Sequence, residues 1–134
     1  MIHKGTLAIS STKKMEFIDI TEHINRIIAA HSCHSGVCTL YNPHTTAAVT
    51  INEGADPAVQ DDLITAFGRM VPAHGPYRHR EGNSPAHVMT AMVGSSALLF
   101  VEEGKALLGT WQRIFFCEFD GPRSRKLHWR LNAD

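Results

Sequence analysis

The feature that most constrains the fold is a series of strand-like segments, separated by tight turns, in the last third of the chain. Residues 97–102, 106–119 and 124–131 are rich in apolar, β-branched and aromatic residues. Residues 103–105 and 120–122 each place a glycine next to an acidic residue, which is typical of hairpin turns. Strands joined by short turns pair antiparallel, so this region predicts an antiparallel sheet.

Two main helices and one short helix are predicted before this region. Isoleucines at positions 20, 24, 27 and 28 recur at helical spacing and predict a helix that ends near residue 31. Asp56 followed by Pro57 is typical of a helix start, because proline fits the first helical position and aspartate accepts a free N–H group. This second helix is predicted to run to about Met70. A short helix is predicted over residues 86–92, capped by Ser84.

The strand and helix segments together predict an α+β fold, with mostly antiparallel strands arranged as a sandwich or pseudo-barrel. The length of 134 residues predicts one domain, residues 1–134. The strand over 106–119 is expected to bend at Gly109. Further strands are predicted at 6–10, 37–41 and 47–51, with an extended piece over 15–20.

Composition and charge argue against two classes of partner. The chain carries 13 Lys and Arg and 13 Asp and Glu, so its net charge is about zero with neutral histidines. A protein that binds nucleic acid or an anionic membrane surface needs a basic face, so neither partner is predicted. No apolar stretch approaches the roughly 18 residues of a membrane helix, and no signal peptide is recognised. We therefore expect a cytoplasmic protein.

The three cysteines favour the same compartment. They are odd in number, and Cys38 and Cys117 lie in apolar runs, where buried free thiols are expected. Cys33 and Cys38 flank His34, a combination that can bind zinc. The chain lacks the second ligand pair of a structural zinc site, so buried or surface thiols are the favoured interpretation.

The densest polar segment spans residues 77–87, where histidines, arginines, a carboxylate and an amide lie within eleven positions. His79 and His87 are separated by a glycine and a proline, so both rings can face one centre. His44, at a predicted strand boundary, is a third candidate. Three neutral imidazoles around an open position are the ligands of a catalytic zinc or similar ion. We therefore predict a divalent metal, zinc or magnesium, bound by His44, His79 and His87.

Glutamates near these histidines supply further chemistry. Glu53 or Glu81 is a candidate fourth ligand, a general base on a bound water, or a residue that orients a ligand. Nine histidines in 134 residues is a rich supply, so the alternative is that these imidazoles are ordinary surface groups. Gly-x-Ser-x-Gly and P-loop patterns are absent, so neither a hydrolase elbow nor a nucleotide-binding loop is predicted.

A second group of residues favours the binding of an anion. Arg123 and Arg125 alternate along a predicted strand and therefore share one face. The planar fork of arginine suits phosphate or carboxylate. Thr45 adds a hydroxyl group and Asn83 adds an amide. The alternative is a solvated face on which the arginines pair with Asp or Glu.

Trp111 and Gln112 lie within a strand-like run, where an indole N–H and an amide need partners or partial exposure. A tryptophan wall with a glutamine amide would shape one side of a pocket for a heterocycle. A core tryptophan beside a glutamine at a sheet edge is the alternative.

Several strings, taken in this order, make the chain resemble the YjbQ-like family of small proteins, some of whose members are described as secondary thiamine-phosphate synthases. The resemblance covers nearly the whole length. The strings are His44-Thr-Thr-Ala, Asn52-Glu53, residues 79–83, His87, the Gly94 turn, residues 104–112 and residues 118–125.

The resemblance implies a pseudo-barrel or sandwich of antiparallel strands that assembles as a homotrimer. It also implies a polar histidine cluster near a subunit boundary that holds a metal or an anion. The residues carried over are His44, Glu53, His79, Asn83, His87, Gln112, Arg123 and Arg125.

The activity that the resemblance implies joins a pyrimidine methyl pyrophosphate to a thiazole phosphate and expels pyrophosphate. Glu53, His79 and Asn83 are then the expected catalytic residues, while Thr45, Gln112, Arg123 and Arg125 bind the phosphorylated substrate. Arginines and a divalent metal would neutralise the leaving pyrophosphate. Two alternatives stay open: a zinc-dependent hydrolase, and a binding protein for a metal or a phosphorylated ligand that performs no catalysis.

Overall fold

The strand-like segments form two antiparallel sheets, and the computed structural model describes all 134 residues. Buried and more exposed residues alternate along β3, β5 and β8, and the buried isoleucines of α1 recur at helical spacing. The elements are β1 (Ile2–Ser10), β2 (Glu16–Asp19), α1 (Thr21–Ala30), β3 (Gly36–Tyr41), β4 (Ala47–Glu53), α2 (Pro57–Met70), α3 (Ser84–Val93), β5 (Ser96–Glu102), β6 (Lys105–Ala106), β7 (Gln112–Glu118) and β8 (Ser124–Ala133).

One sheet has five strands in the order β1-β8-β3-β5-β6, and the other has three in the order β2-β7-β4. Every neighbouring pair is antiparallel. The predicted α+β class, with antiparallel strands in a sandwich-like arrangement, is therefore confirmed. The third helix is not the short one that was predicted, because α3 has 10 residues, as many as α1, while α2 has 14.

The segment predicted as one strand over residues 106–119 is two strands in different sheets. β6 pairs with β5 in the larger sheet, whereas β7 lies between β2 and β4 in the smaller one. The predicted bend at Gly109 is thus a complete crossing from one sheet to the other. The N–H of Gly109 donates to Oε1 of Gln112 at 2.8 Å, which holds this crossing together.

The main core lies between the two sheets. Ile24 and Ile28 of α1 are fully buried there, together with apolar residues from both sheets. The far face of the three-stranded sheet packs against α2 and α3, where Met89 and Phe119 are buried. Because β7 is covered on both faces, residues 114–119 are buried without interruption. The outer face of the five-stranded sheet is open, so β8 alternates buried and exposed residues.

The start of α2 agrees with the prediction, whereas the start of α3 differs from it. The carboxylate of Asp56 accepts the N–H of Ala58 at 3.0 Å and caps α2, as predicted. Helix α3 begins at Ser84 rather than at residue 86, and its capping residue is Asn83, with no side-chain capping bond. None of the three helices has both the length and the apolar character needed to cross a bilayer.

The cysteines are all buried and free, as expected for Cys38 and Cys117. Burial raises the pKa of the Cys38 thiol to about 12, with a further contribution from the neighbouring Cys33. Burial alone raises the pKa of the Cys117 thiol to about 12. These thiols therefore stay protonated near neutral pH and are poor nucleophiles and metal ligands.

Candidate functional site

The two polar segments singled out in the sequence meet in one surface depression of about 450 Å³. Three connections form it: residues 42–46 between β3 and β4, residues 71–83 with the start of α3, and residues 119–123 between β7 and β8. No hydrophobic side chain lines it. The lining residues are Pro43, His44, Thr45, Thr46, His79, Glu81, Asn83, His87, Arg123 and Arg125.

Asn42 shapes the first of these connections. Its side chain is buried, and its Nδ2 donates to the carbonyl oxygens of Ala47 at 2.6 Å and of His44 at 3.1 Å. Its Oδ1 accepts the N–H of His44 at 3.0 Å. An asparagine that closes a turn on its own backbone in this way fixes where the next residues point. Asn42 therefore presents His44 and Thr45 to the depression.

His44 is anchored to the sheet rather than free. Its Nε2 accepts the backbone N–H of Lys126 at 2.9 Å, which requires the proton of the neutral ring to be on Nδ1. Burial lowers the pKa of His44, and the positive charge of Arg125 lowers it further. The ring is therefore held neutral, with Nε2 already occupied.

His79 and His87 form a pair in the same depression. Their ring centroids are 5.2 Å apart, with the ring planes at 82° to each other. Nδ1 of His87 donates to the carbonyl oxygen of Thr45 at 3.0 Å, since a carbonyl can only accept. This bond fixes the tautomer and leaves Nε2 of His87 without a protein partner. His79 is exposed and lies 3.9 Å from the carboxylate of Glu81.

The expected three-imidazole metal site is not formed. His44, His79 and His87 line one depression, but no group of three or more His, Cys, Asp or Glu side chains has the geometry to hold a metal ion. The physical reason is the bond between Nε2 of His44 and the Lys126 amide, which turns that lone pair towards the sheet. His79 and His87 remain as a two-residue pair of candidate ligands.

Arg125 enters the depression from a buried position. Its Nε donates to Glu118 at 2.9 Å, and its Nη2 donates to the same carboxylate and to Oγ1 of Thr46 at 2.9 Å. Burial opposes ionisation of Glu118, but hydrogen bonds from Arg125, Ser11 and the Asp120 amide outweigh it and lower its pKa. Glu118 is therefore a carboxylate, and it fixes the Arg125 guanidinium.

Arg123 is fixed by a second carboxylate. Its Nη2 donates to Oδ2 of Asp120 at 2.7 Å, and its Nε donates to the Asp120 carbonyl oxygen at 2.7 Å. Oδ2 of Asp120 also accepts Nδ2 of Asn83 at 3.1 Å. Burial works against ionisation of Asp120, but Asn83, Arg123 and Lys14 together lower its pKa. Asp120 thus holds Arg123 and Asn83 side by side.

Both arginines keep one nitrogen free for a ligand. Nε and Nη2 are used on protein oxygens in each case, whereas neither Nη1 makes a hydrogen bond within the protein. Arg125 is a buried residue, yet its Nη1 is not among the buried atoms without a partner, so it reaches the solvent-accessible surface. Two fixed guanidinium groups with free Nη1 atoms have the chemistry to bind an anion without reorganising.

Glu53 and Gln112 lie elsewhere, which corrects the expectation that they face the same site. They are cross-strand partners at the far end of β4, six residues from Ala47. At roughly 3.3 Å per residue, this is about 20 Å from the depression. The Glu53 carboxylate accepts the N–H of Asp56 at 3.0 Å, so it stabilises the turn that leads into α2. Trp111, beside Gln112, is 64% exposed and lines no cavity.

Sequence reasoning missed the two carboxylates that fix the arginines. The pairing of Glu118 with a basic residue could have been predicted. Glu118 is the one charged residue inside the apolar run 114–119, and a buried charge needs a partner. Asp120 was assigned only to a turn. Its role depends on the distance from Asn83, which is 37 positions away in the chain, and no local pattern contains that distance.

The sequence profile of the family described as UPF0047 protein YjbQ-like matches residues 5–134. The UPF0047 protein YugU of Bacillus subtilis is 46% identical over 127 residues, which cover 94% of this chain and 96% of that protein. The chain belongs to the UPF0047 YjbQ-like family. Another member, the UPF0047 protein MJ1081 of Methanocaldococcus jannaschii, is 44% identical over 126 residues, covering 94% of this chain and 91% of that protein.

Solved structures share this fold. An uncharacterized conserved protein of the family from Clostridium acetobutylicum has a TM-score of 0.92 at 40% identity, covering 95% of this chain and 98% of that one. The conserved hypothetical protein TT1486 of Thermus thermophilus has a TM-score of 0.89 at 40% identity, covering 96% and 99%. These likenesses establish family and fold, so the chemistry of the depression rests on its own residues.

Proposed function

We propose that this protein is a small cytoplasmic enzyme whose depression binds the phosphate groups of a phosphorylated heterocycle. The reaction that we propose for it is thiamine-phosphate synthesis. The observation that supports this proposal best is the pair of fixed arginines, Arg123 and Arg125, each with a free Nη1. Thr45, His79 and His87 line the same depression. The three buried free thiols support a reducing compartment.

The fixed arginines suit a reaction in which pyrophosphate leaves. The carbon–oxygen bond of the pyrimidine methyl pyrophosphate breaks, and its electron pair departs with the pyrophosphate. The lone pair of the thiazole nitrogen forms the new carbon–nitrogen bond, so this step needs no proton transfer. Negative charge then grows on the leaving group, and guanidinium groups already aimed at that position stabilise it without reorganisation.

We propose that a divalent ion takes part only together with the phosphorylated ligand. His79 and His87 supply two nitrogens, and Nδ1 of His87 is already bonded to the Thr45 carbonyl, the usual support of a metal-binding imidazole. Phosphate oxygens would complete the coordination. Imidazoles favour zinc, whereas phosphate oxygens also suit magnesium. Titration calorimetry with zinc or magnesium should therefore detect binding when pyrophosphate is present, and none when it is absent.

A zinc-dependent hydrolase is the less supported alternative. It needs a resident metal with three protein ligands and a base on bound water. The histidines do not form such a set, and Glu53 lies at the other end of β4. Glu81 is the only carboxylate that lines the depression, and it is exposed.

The direct test mixes the purified protein with both thiamine precursors and Mg²⁺ and measures thiamine phosphate after oxidation to fluorescent thiochrome. We expect product from the wild type, and rates about 100-fold lower for Arg123→Met and His79→Ala, as when a group that stabilises transition-state charge is removed. Arg80→Met is the matched control. Arg80 is an exposed arginine next to His79 that does not line the depression.

A thermal-shift titration with pyrophosphate separates binding from turnover. Stabilisation of the wild type but not of Arg123→Met, without any thiochrome signal, would favour the binding protein and overturn the enzyme proposal. No stabilisation of the wild type would overturn both.

We also propose that the protein assembles as a homotrimer through the open face of the five-stranded sheet. Leu98 and Phe100 of β5 are 59% and 56% exposed, and neighbouring Leu107 is 56% exposed. A contiguous apolar patch of this kind favours association with a surface of the same character. Light scattering should give three times the 14.8 kDa mass of one chain. Phe100→Glu should give one chain, and the exposed Lys13→Glu should leave the trimer intact.

A further inference from the structure

The chain segment between β1 and β2 lies against the connection that carries Arg123. Ser11, the first residue after β1, is buried. Its backbone N–H donates to the carbonyl oxygen of Arg123 at 2.9 Å, and the N–H of Gly121 donates to the carbonyl oxygen of Lys14 at 3.0 Å. Residues 11–14 therefore support the β7–β8 connection from a part of the chain more than a hundred positions away.

Gly121 allows these two connections to touch. A Cβ atom added there would lie 2.2 Å from the carbonyl oxygen of Lys13 and 2.8 Å from Oγ of Ser11, both far too close. The φ angle of Gly121 is not in the left-handed region, so the close approach and not the backbone conformation requires glycine. The chain is thus built to bring the Ser11 hydroxyl next to the residues that fix the two arginines.

The hydroxyl group of Ser11 is both a donor and an acceptor in this contact. Oγ donates to Oε1 of Glu118 at 2.6 Å and accepts the N–H of Arg123 at 2.8 Å. The Arg123 carbonyl oxygen is 3.2 Å from Oγ, but the single hydroxyl hydrogen goes to the closer, charged acceptor. Oε1 of Glu118 also accepts Nε of Arg125 at 2.9 Å. One buried hydroxyl therefore connects the backbone of Arg123 to the carboxylate that fixes Arg125.

A fixed separation of the two guanidinium groups matters for one kind of anion. Arg123 immediately precedes β8 and Arg125 is its second residue, so the two side chains enter the depression as separate arms. Either arm can bind a single phosphate group by itself. A ligand with two linked phosphoryl groups gains from the second arm only when the separation of the arms matches the ligand, because the second contact is then intramolecular.

We propose that Ser11 is a positioning residue of the anion site, which holds Arg123 and Arg125 at the separation at which both bind one diphosphate. This inference rests on the proposed function, because it assigns the residue that makes the proposed site selective for a diphosphate over a single phosphate. Ser11 does not line the depression, so it acts through the two arginines.

Titration calorimetry of the full chain with pyrophosphate and with phosphate, without added metal ions, tests this inference. Ser11→Ala should weaken the binding of pyrophosphate about tenfold and that of phosphate about twofold at most. Ser11→Thr keeps the hydroxyl and should bind both anions as the wild type does. Ser10→Ala is the matched control, because Ser10 is the preceding residue and is exposed.

A double-variant cycle shows whether Ser11 acts through the arginines. Arg123→Met removes one arm, so adding Ser11→Ala to it should change pyrophosphate affinity about twofold at most. A residue with a merely structural role would lower the free energy of unfolding and leave the ratio of the two affinities unchanged. Ser11→Cys, which keeps a weak donor and acceptor, replaces the alanine variant if that variant unfolds, and the ratio should change in the same direction.

Two outcomes would overturn the inference while leaving the proposed anion site in place. One is an unchanged ratio of pyrophosphate to phosphate affinity in the Ser11 variants. The other is an effect of Ser11→Ala on pyrophosphate binding that is as large in Arg123→Met as in the wild type. A wild-type protein that binds no pyrophosphate would overturn the proposed function, and this inference with it.

Discussion

Arg125 and Glu118 form an ion pair in which the two side chains are 4% and 0% exposed. Nε and Nη2 of Arg125 both donate to the Glu118 carboxylate. The Ser11 hydroxyl donates to its Oε1, and the Asp120 amide donates to its Oε2. Desolvating two charges is costly, so such a pair is weak support for stability by itself. Its consequence for the site is that one positive charge is held at the depression in a single orientation.

Removing Glu118 alone should destabilise the fold strongly. Glu118→Leu leaves the Arg125 charge buried without a counter-charge, a situation that costs about 3–5 kcal/mol. The measurement is the free energy of unfolding in urea. The double variant Glu118→Leu/Arg125→Met should recover most of that loss, because no buried charge remains, and should still lose pyrophosphate affinity. A single variant as stable as the wild type would contradict this account of the pair.

His44 and His87 should both be protonated on Nδ1 in the neutral protein. Nε2 of His44 accepts the Lys126 amide, and Nδ1 of His87 donates to the Thr45 carbonyl. Long-range ¹H–¹⁵N spectra above neutral pH should therefore show an unprotonated Nε2 for both rings. An Nε2-protonated His87 would remove the nitrogen that we assign to the ligand. Thr45→Ala keeps the backbone carbonyl and should leave the His87 tautomer unchanged.

The fold was largely predictable because its strands and helices carry local signals. The alternating pattern of β8, the isoleucine stripe of α1 and Asp56 before Pro57 each predict their own element. The break between β6 and β7 was not predictable, since an apolar run has the same appearance whether its two halves pair with one sheet or with two.

The residues of the candidate site were largely predictable, but the hydrogen bonds among them were not. Residues 77–87 and His44 do meet, because both lie in connections at the same end of the sandwich. Glu53 seemed equally suitable by residue type, yet it follows His44 by nine positions along an extended strand that leads away from the depression. Whether a histidine nitrogen is free depends on one backbone amide, that of Lys126, and no sequence pattern specifies this contact.

Acidification should destabilise the fold in two steps. The pKa of His44 is lower in the folded chain than its ordinary value of 6.5, so below that pH the unfolded chain binds the extra proton first. The stability that His44 contributes is complete above pH 6.5 and is lost as the pH falls towards its folded pKa. The pKa values of Glu118, Asp120 and Asp19 are also lowered, so a second loss begins below about pH 4.5.

The measurement for this prediction is the free energy of unfolding from pH 8 to pH 3. His44→Gln keeps an acceptor for the Lys126 amide but has no proton to gain, so its stability should fall less steeply between pH 7 and pH 5. An unchanged slope in this variant would show that His44 does not carry the first step.

Gly68 and Gly82 offer a matched pair of substitutions, because an added Cβ meets no atom within 4 Å at either position. They differ only in backbone conformation. Gly68 is helical, so Gly68→Ala should stabilise the chain by about 0.5–1 kcal/mol. Gly82 has a φ of +76°, where a Cβ is strained, so Gly82→Ala should destabilise it by about 1 kcal/mol. Thermal and urea unfolding measure both. A Gly68→Ala variant that loses stability would instead mean that α2 needs glycine at this position for its own packing.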